Sequence, residues 1–490
     1  MKITLISLEP ELFSYGLRIL SSCLREKGHE TRMVFMLPPK FQTQKEKYKT
    51  EYDRMAISHL SGLCSDSGLI GISLMTNQFT RAIQLTRALK ESGIKVPIIW
   101  GGVQPTVEPE ECIKFADIVC LGEGEGALTE LVDCMDRGEP YLDIKNLWIN
   151  SGDLIIRNQL RPLIKDLDAV PFPDYSCKDH FIIEGHDMKE LTAEYMLSFQ
   201  GERFKGDGKS IPYMFMTSRG CPFSCTYCCN SAYKRLYPGQ SLLRWRGNQN
   251  IIDELKMIQK ELAPISYLYM VDDNFTARSE DKLMSFCELY KKEIGVPFFA
   301  QVSPLEINEE KMEILFAAGC AHVTMGVETA NPRIAEIYNR SREHKVLPKA
   351  IDLLEKYRHR MNPPPTYQFI IDNPYETVDE MAETLRLAAS FPRPWYNPIY
   401  SLMLFPGVPL YDMALNDGII KDKQNQIYTR NWLSQSSPFF QIWIRLYHAN
   451  FSPFILRVLL MPWIVKLMNS NIISAVLKTP VFRWVWDKRA

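Results

Sequence analysis

At 490 residues the chain exceeds one ordinary domain, and 46% apolar against 23% charged residues permit a large core and exclude a disordered protein. Lys plus Arg (57) balance Asp plus Glu (58), so no global field draws the chain to nucleic acid. Twelve cysteines are too sparse for a secreted disulfide scaffold, the apolar run in MKITLISLEPELF is too short for a signal peptide, and no uncharged apolar stretch reaches membrane-spanning length; together these point to a reducing, cytoplasmic enzyme.

The first 140 residues alternate short apolar strands with amphipathic helices. Strands are predicted at 2–8, 31–36, 69–75, 96–100 and 118–121, and helices at 12–27, 79–93 and 125–136. That alternation predicts a parallel, doubly wound sheet covered on both faces, with ligands at the carboxyl ends of its strands. Three of those ends are small or polar: Ser73 with Thr76, Gly101-Gly102-Val103-Gln104, and Gly122-Glu123-Gly124-Glu125. Glycines there allow a large ligand to approach the backbone, although tight turns alone ask for the same residues. No GxGxxG or P-loop pattern accompanies them, which disfavours a nucleotide phosphate site.

Residues 141–205 hold no long periodic segment, and the run from Asp168 to Asp174 (DAVPFPD) reads as a proline-stiffened linker. A second series follows, with strands predicted at 212–218, 266–271, 297–302, 321–326, 366–371 and 398–404. Helices are predicted between them at 247–262, 279–293, 308–318, 344–358 and 377–389. A full (β/α)8 barrel needs about 250 residues, so this series predicts an incomplete barrel of six strands.

Directly after the first strand of that series stands Cys221-Pro222-Phe223-Ser224-Cys225-Thr226-Tyr227-Cys228-Cys229. Chance would supply roughly 0.007 triplets with this Cys-x3-Cys-x2-Cys spacing. Clustered thiolates in a reducing compartment bind metal or do redox work. Zinc would want a fourth ligand, but Cys229 is badly placed beside Cys228 and no His lies between positions 186 and 322. Three thiolates around a four-iron–four-sulfur cluster instead leave one iron open to a substrate. Cys229 and the dispersed remaining cysteines read as packing positions.

The loop CPFSCTYC resembles the signature of the radical S-adenosylmethionine (SAM) enzymes, and the GGVQPT and LGEGEG loops resemble the cobalamin-binding domain that precedes many of them. The likeness spans about residues 1–415. It implies a 4Fe–4S cluster on Cys221, Cys225 and Cys228, and SAM contacts from Tyr227, Asp272, Asp273, Gln301, Ser303 and Glu328. It further implies cobalamin contacts from Ser73, Thr76, Gly101, Gly102, Gln104, Gly122 and Gly124. Asp272-Asp273-Asn274-Phe275 looks like the variant amine-gripping segment of cobalamin-dependent members, and Gly326-Val327-Glu328-Thr329 ends the fourth strand. Asp372-Asn373-Pro374-Tyr375-Glu376-Thr377 and Phe405-Pro406-Gly407 resemble later strand-end motifs. Helix capping alone explains a single strand-end acid, but not Asp272, Asp273, Glu328 and Asp372 together at one barrel end.

The implied chemistry is reductive cleavage of SAM to a 5′-deoxyadenosyl radical, abstraction of hydrogen from an unactivated carbon, and methyl transfer from cobalamin. A radical cyclase or rearrangement enzyme with the same cofactors is the alternative, and a non-catalytic iron–sulfur protein the outlying one. Where the family's His-bearing domains carry Asp-x-His-x-x-Gly, this chain has Glu9-Pro10-Glu11-Leu12-Phe13-Ser14, so cobalamin is expected without a protein His on cobalt. The implied partners are a small-molecule, lipid or peptide substrate and an external donor of the flavodoxin or ferredoxin type.

Past residue 416 the composition shifts. Trp432, Trp443, Trp463, Trp484 and Trp486 fall in the last 59 residues, and from Phe439 onward seven Lys or Arg face the single acid Asp487. Interfacial helices at 437–490, touching a membrane from its inner face, and a helical cap packed on the barrel both fit this pattern. The expected organisation is therefore a Rossmann-like cobalamin domain (1–145), a linker (146–205), a partial (β/α)6 TIM-type barrel (206–415) and a helical C-terminal region (416–490).

Overall fold

The computed structural model describes residues 1–37, 52–204, 211–429, 437–470 and 473. Five strands form where they are predicted: β1 (Lys2–Ser7), β2 (Glu30–Leu37), β3 (Leu69–Ser73), β4 (Ile98–Gly101) and β5 (Ile118–Cys120). They are continuous apolar runs, five of six residues being buried in β1, because helices cover both faces of the sheet. Tyr15–Glu26, Phe79–Glu91 and Glu125–Arg137 are the expected helices. A further helix, Arg54–Cys64, starts where the Asp53 carboxylate accepts the Ala56 N–H at 2.8 Å.

The segment expected as a linker is largely part of this sheet. It contributes β6 (Leu147–Asn150), β7 (Ile155–Arg157), β8 (Phe181–Glu184) and β9 (Asp187–Glu190), followed by the helix Ala193–Phe204. Strands of three or four residues carry too little alternation to register as periodic. The nine-stranded order is β7-β6-β5-β4-β3-β1-β2-β8-β9. The run from β8 to β5 is parallel and the outer strands β6, β7 and β9 are antiparallel, which corrects the all-parallel expectation. The proline-rich run between them is irregular but anchored: the buried Asp174 carboxylate accepts from Ser21 (2.6 Å) and pairs with His180 (3.1 Å).

Next come β10 (Ile211–Phe215), a short ribbon of β11 (Ser218–Arg219) and β12 (Arg244–Trp245), then β13 (Ile265–Met270), β14 (Phe298–Val302), β15 (Cys320–Glu328), β16 (Thr366–Ile371) and β17 (Ile399–Ser401). Strands β10-β13-β14-β15-β16-β17 make one parallel, six-stranded curled sheet in sequence order, as an incomplete barrel requires. The two units share a core. Ile6, Ile72 and Trp100 of the first sheet belong to the same apolar cluster as Ala232, Tyr338 and Leu404 of the barrel.

Among the described residues from 437 onward lie three short helices, Pro438–His448, Pro453–Leu459 and Pro462–Met468, each opened by a proline in its first turn. Their inner side is a packed cap. Trp443, Tyr447, Leu456, Leu460 and Val465 are buried, and Arg386 donates to the Leu460 carbonyl at 2.9 and 3.0 Å. No described helix is long and apolar enough to cross a membrane. Trp432, Trp484, Trp486, the cations beyond residue 473 and Asp487 lie outside the described residues.

Candidate active site

The cysteine loop leaves β11 at Gly220, whose φ of +82° and contact with the Leu242 carbonyl exclude a side chain. The rest of the fold holds it from several sides. The Thr226 N–H donates to the Tyr338 carbonyl (3.1 Å), Asn339 to the Ser224 carbonyl (3.0 Å), and the Lys234 ammonium to the Pro222 and Phe223 carbonyls (2.7 Å each). Two side chains donate to the sulfurs themselves, Arg340 to Cys225 (3.7 Å) and Asn230 to Cys228 (3.8 Å). The Cys229 thiol hydrogen-bonds the Cys228 sulfur and pulls that thiol down to about 7, whereas burial pushes Cys221 up to about 12. Among the described residues no three His, Cys, Asp or Glu side chains converge on one ion position. A cluster asks for no such convergence, because each thiolate meets a different iron and donors to sulfur tune its potential. The loop fits that group.

The residues predicted for SAM fall into two sets around this loop. Tyr227 and Glu328 stand with Arg340 next to Cys225. Glu328 is buried at the end of β15 with φ +66°, and burial raises its carboxyl although Arg340 lies 4.0 Å away. At the ends of β13 and β14, Asp272, Asn274 and Ser303 are buried, and Asp272 Oδ2, Asn274 Nδ2 and Ser303 Oγ have no hydrogen-bond partner among the described residues. Orphaned polar atoms at a barrel mouth fit a polar ligand. The other Asp272 oxygen accepts from the Thr217 N–H (3.1 Å) and hydroxyl (2.8 Å), so this acid also fixes the approach to the cysteine loop. Gln301 is half-buried on β14. Asp273 faces a cavity, its carboxyl raised by burial.

Glu376, in the loop after β16, has neither carboxylate oxygen hydrogen-bonded among the described residues, and burial together with Asp372 and Glu380 pushes its carboxyl up to about 8. A folded-state value raised above the unfolded one gives stability that is complete below the unfolded value and is lost as pH rises towards 8. Glu376→Gln is therefore expected to raise urea stability by about 3 kcal/mol at pH 9 and to change little at pH 4. Equal effects at both pH values would disprove this.

The cavity, of about 420 Å³, opens between the two units. Ser73, Gly101, Gly102, Gly122 and Gly124 line one side, and Asp273, Cys229 and Asn230 line the other beside the cysteine loop. The glycines serve different ends. A Cβ on Gly102 (φ +103°) would meet the Leu74 carbonyl oxygen at 2.7 Å, and one on Gly122 (φ +72°) would strike the Tyr237 hydroxyl. Both are demanded by the chain's own packing. A Cβ on Gly101 would meet nothing nearer than Cys120 at 4.0 Å, which leaves room for a ligand against that strand end. Thr76 and Gln104, expected at this site, are buried away from the wall, Gln104 donating to Glu108 at 3.0 Å. No histidine lines the cavity among the described residues. Close backbone approach, apolar walls and a few polar groups fit cobalamin.

The acids of the LGEGEG loop, which the sequence pattern did not single out, tie the two units together. Arg219, two residues before Cys221, donates to Glu123 (2.9 Å) and Glu125 (2.6 Å). Arg244 pairs with Glu123 (2.9 Å) and donates to the Ile164 carbonyl (2.6 Å). Nearby, Tyr15 of the first helix donates to the fully buried Glu254 (3.2 Å), which also accepts from Tyr213 (2.7 Å) and pairs with Arg246. An acid–glycine alternation followed by SRG before the first cysteine is the only trace of this clamp in the sequence.

Two family models match, the B12 binding domain over residues 1–132 and the radical SAM superfamily over 215–388. An uncharacterised methyltransferase of Pyrococcus horikoshii is 26% identical over 75% of this chain and 72% of its own length. The anaerobic magnesium-protoporphyrin IX monomethyl ester cyclase of Rubrivivax gelatinosus is 25% identical over 70% of this chain, which spans 57% of that relative. The solved radical SAM methyltransferase TsrM of Kitasatospora setae shares the fold with a TM-score of 0.62 at 14% identity, over 85% of this chain and 76% of its own. The cobalamin-dependent SAM radical enzyme OxsB does so with a TM-score of 0.56 at 18% identity, over 85% of this chain and 55% of its own. The cysteine loop lies within the radical SAM match, and Ser73, Gly101, Gly102, Gly122 and Gly124 lie within the B12 binding match, so the chain carries a B12 binding domain ahead of a radical SAM domain.

Proposed function

We propose that the protein is a cobalamin-dependent radical SAM methyltransferase acting on an unactivated carbon of a small-molecule, lipid or peptide substrate. The observation that carries this reading is a cavity with the strand ends of the first sheet on one wall and Asp273 with the cysteine loop on the other. When bound, the cluster and SAM supply a hydrogen-abstracting radical and cobalamin supplies the methyl group. Cys221, Cys225 and Cys228 would hold the cluster, with Arg340 and Asn230 donating to the Cys225 and Cys228 sulfurs. Tyr227, Glu328, Asp272, Asp273, Gln301 and Ser303 orient SAM, and Ser73, Gly101, Gly102, Gly122 and Gly124 bear cobalamin, with Thr76 and Gln104 supporting them from behind. The apolar walls and the shared core keep water from the reacting groups. The electron comes from an external flavodoxin- or ferredoxin-type donor, and the setting is cytoplasmic with peripheral membrane contact through 437–490.

Support comes from relatives named as methyltransferases in Pyrococcus horikoshii and Kitasatospora setae. The cyclase of Rubrivivax gelatinosus favours a second reading, ring closure with the same cofactors. Anaerobic reconstitution with and without hydroxocobalamin, then reductant and SAM, separates them. Formation of both 5′-deoxyadenosine and S-adenosylhomocysteine supports methyl transfer, and 5′-deoxyadenosine alone opposes it. On a substrate, a mass gain of about 14 indicates methylation and a loss of about 2 indicates oxidative closure.

Two expectations concern cobalamin directly. Gly101→Leu, at a position where a Cβ meets nothing nearer than Cys120 at 4.0 Å, is expected to keep the fold and to lower cobalamin retention by about tenfold or more. Undiminished retention would place the ligand elsewhere. Glu9 and Ser14 hydrogen-bond each other (3.1 Å) where a His-bearing loop would stand. Protein labelled with 15N-histidine and loaded with cob(II)alamin is accordingly expected to give the same electron paramagnetic resonance spectrum as unlabelled protein, and an altered nitrogen splitting would place a histidine on cobalt.

A further inference from the structure

The C-terminal helices have a second side that the packed cap leaves uncovered among the described residues. Phe454 is 75% exposed, Trp463 65% and Leu467 52%, and Phe451, Ile455 and Met461 are exposed beside them. Six of the 15 large exposed apolar residues thus fall within 17 consecutive positions, whereas the other nine are scattered along the chain. Scattered exposure needs no explanation, but a concentrated patch does. Leu456, Leu460 and Val465 alternate with these residues and point into the core, so the helices are anchored from beneath and present a fixed outer surface.

The electrostatics of the segment narrow what covers that surface. Between Asp422 and Asp487 the sequence holds no Asp or Glu, and Arg457 and Lys466 stand exposed among the apolar residues. Prolines cut the segment into helices of 11, seven and seven residues, too short to cross a bilayer and suited to lying flat on one. Protruding tryptophan, phenylalanine and leucine match the headgroup–acyl boundary, and acid-free basic residues match anionic headgroups. We propose that the face formed by Phe451, Phe454, Ile455, Met461, Trp463 and Leu467, with Arg457 and Lys466, docks the protein onto an anionic lipid bilayer. The same geometry fixes the orientation, with Pro462–Met468 packed against the helix Val378–Ala388 of the barrel and the outer side on the lipid.

The test is flotation of the full chain, cluster reconstituted, with vesicles of phosphatidylcholine alone or containing about 30% phosphatidylglycerol. The expected result is flotation with the anionic vesicles, weakened by salt, and little with the neutral ones. Phe454→Glu with Trp463→Glu is expected to lower the apparent vesicle affinity by about 100-fold or more, with cluster absorbance unchanged because both side chains are exposed. Arg457→Gln with Lys466→Gln is expected to weaken the anionic preference alone. Failure of the full chain to float with anionic vesicles overturns the proposal. So does flotation unaffected by the double Glu variant, which would move the contact to other residues such as 474–490. A dimer that the double variant splits, without lipid binding, would make a second copy of the chain the occupant and overturn it equally.

Discussion

Replacing Cys225 with Ala is expected to lower 5′-deoxyadenosine formation by at least about 1,000-fold while cobalamin stays bound. The loop around Cys225 is held by contacts other than its thiolates. Thr226, Asn339 and Lys234 fix its backbone through hydrogen bonds that do not involve sulfur. Loss of one thiolate therefore removes an iron ligand without collapsing the wall that faces the first sheet. Cys229→Ala is the matched control, because that thiol donates to the Cys228 sulfur and its loss leaves three ligands in place. Iron content, 5′-deoxyadenosine and retained cobalamin should be measured together. Joint loss of cluster and cobalamin in the Cys225 variant would mean that the two sites are built cooperatively. An intact, active cluster in it would remove Cys225 from the ligand set.

What the sequence made legible was whatever is written in period or spacing. The parallel core strands are continuous apolar runs, and all six barrel strands emerged near their expected positions, because helix–strand alternation over 200 residues admits few arrangements. The strands at 147–157 and 181–190 were not legible, since three or four residues hold no period and their pairing is decided by distant partners. In the site, the cysteine triplet stands out by spacing alone, but the purpose of each glycine does not. Gly122 makes room for Tyr237 and Gly102 for Leu74, whereas Gly101 leaves room for a ligand. Thr76 and Gln104, expected at strand ends, lie buried in the helical turns Thr76–Gln78 and Val103–Val107 that follow β3 and β4, because an apolar run does not show where its strand stops. Trp443 and Trp463 belong to similar apolar stretches, yet one is buried and the other exposed, so cap and exposed face are two sides of one segment.

The clamp between the LGEGEG loop and the strand before the cysteines supplies the other large effect. Glu123 accepts from Arg219, from Arg244 and from the Ile164 N–H (2.7 Å), and despite burial these partners hold its carboxyl below the ordinary range. Removing one partner strands the other's charge in a partly buried site. Arg219→Met is therefore expected to cost about 2–3 kcal/mol, below the full cost of a broken buried pair because water still reaches these side chains. The more telling effect is on coupling. Arg219 is two residues from Cys221, and Glu123 and Glu125 flank Gly124 on the cavity wall, so the variant should loosen cobalamin and broaden the cluster's paramagnetic signal together. Glu123→Gln should weaken the same link more mildly, and the double variant should cost less than the sum, with a coupling of about 1 kcal/mol or more. Because the folded value of Glu123 is depressed, the clamp's contribution is complete at neutral pH. It disappears as pH falls below the ordinary carboxylate range, and acid should mimic Arg219→Met in wild type while adding little to the variant. Additive single effects, or a cluster signal indifferent to Arg219, would reduce the clamp to ordinary interface pairing with no role in aligning the two cofactor sites.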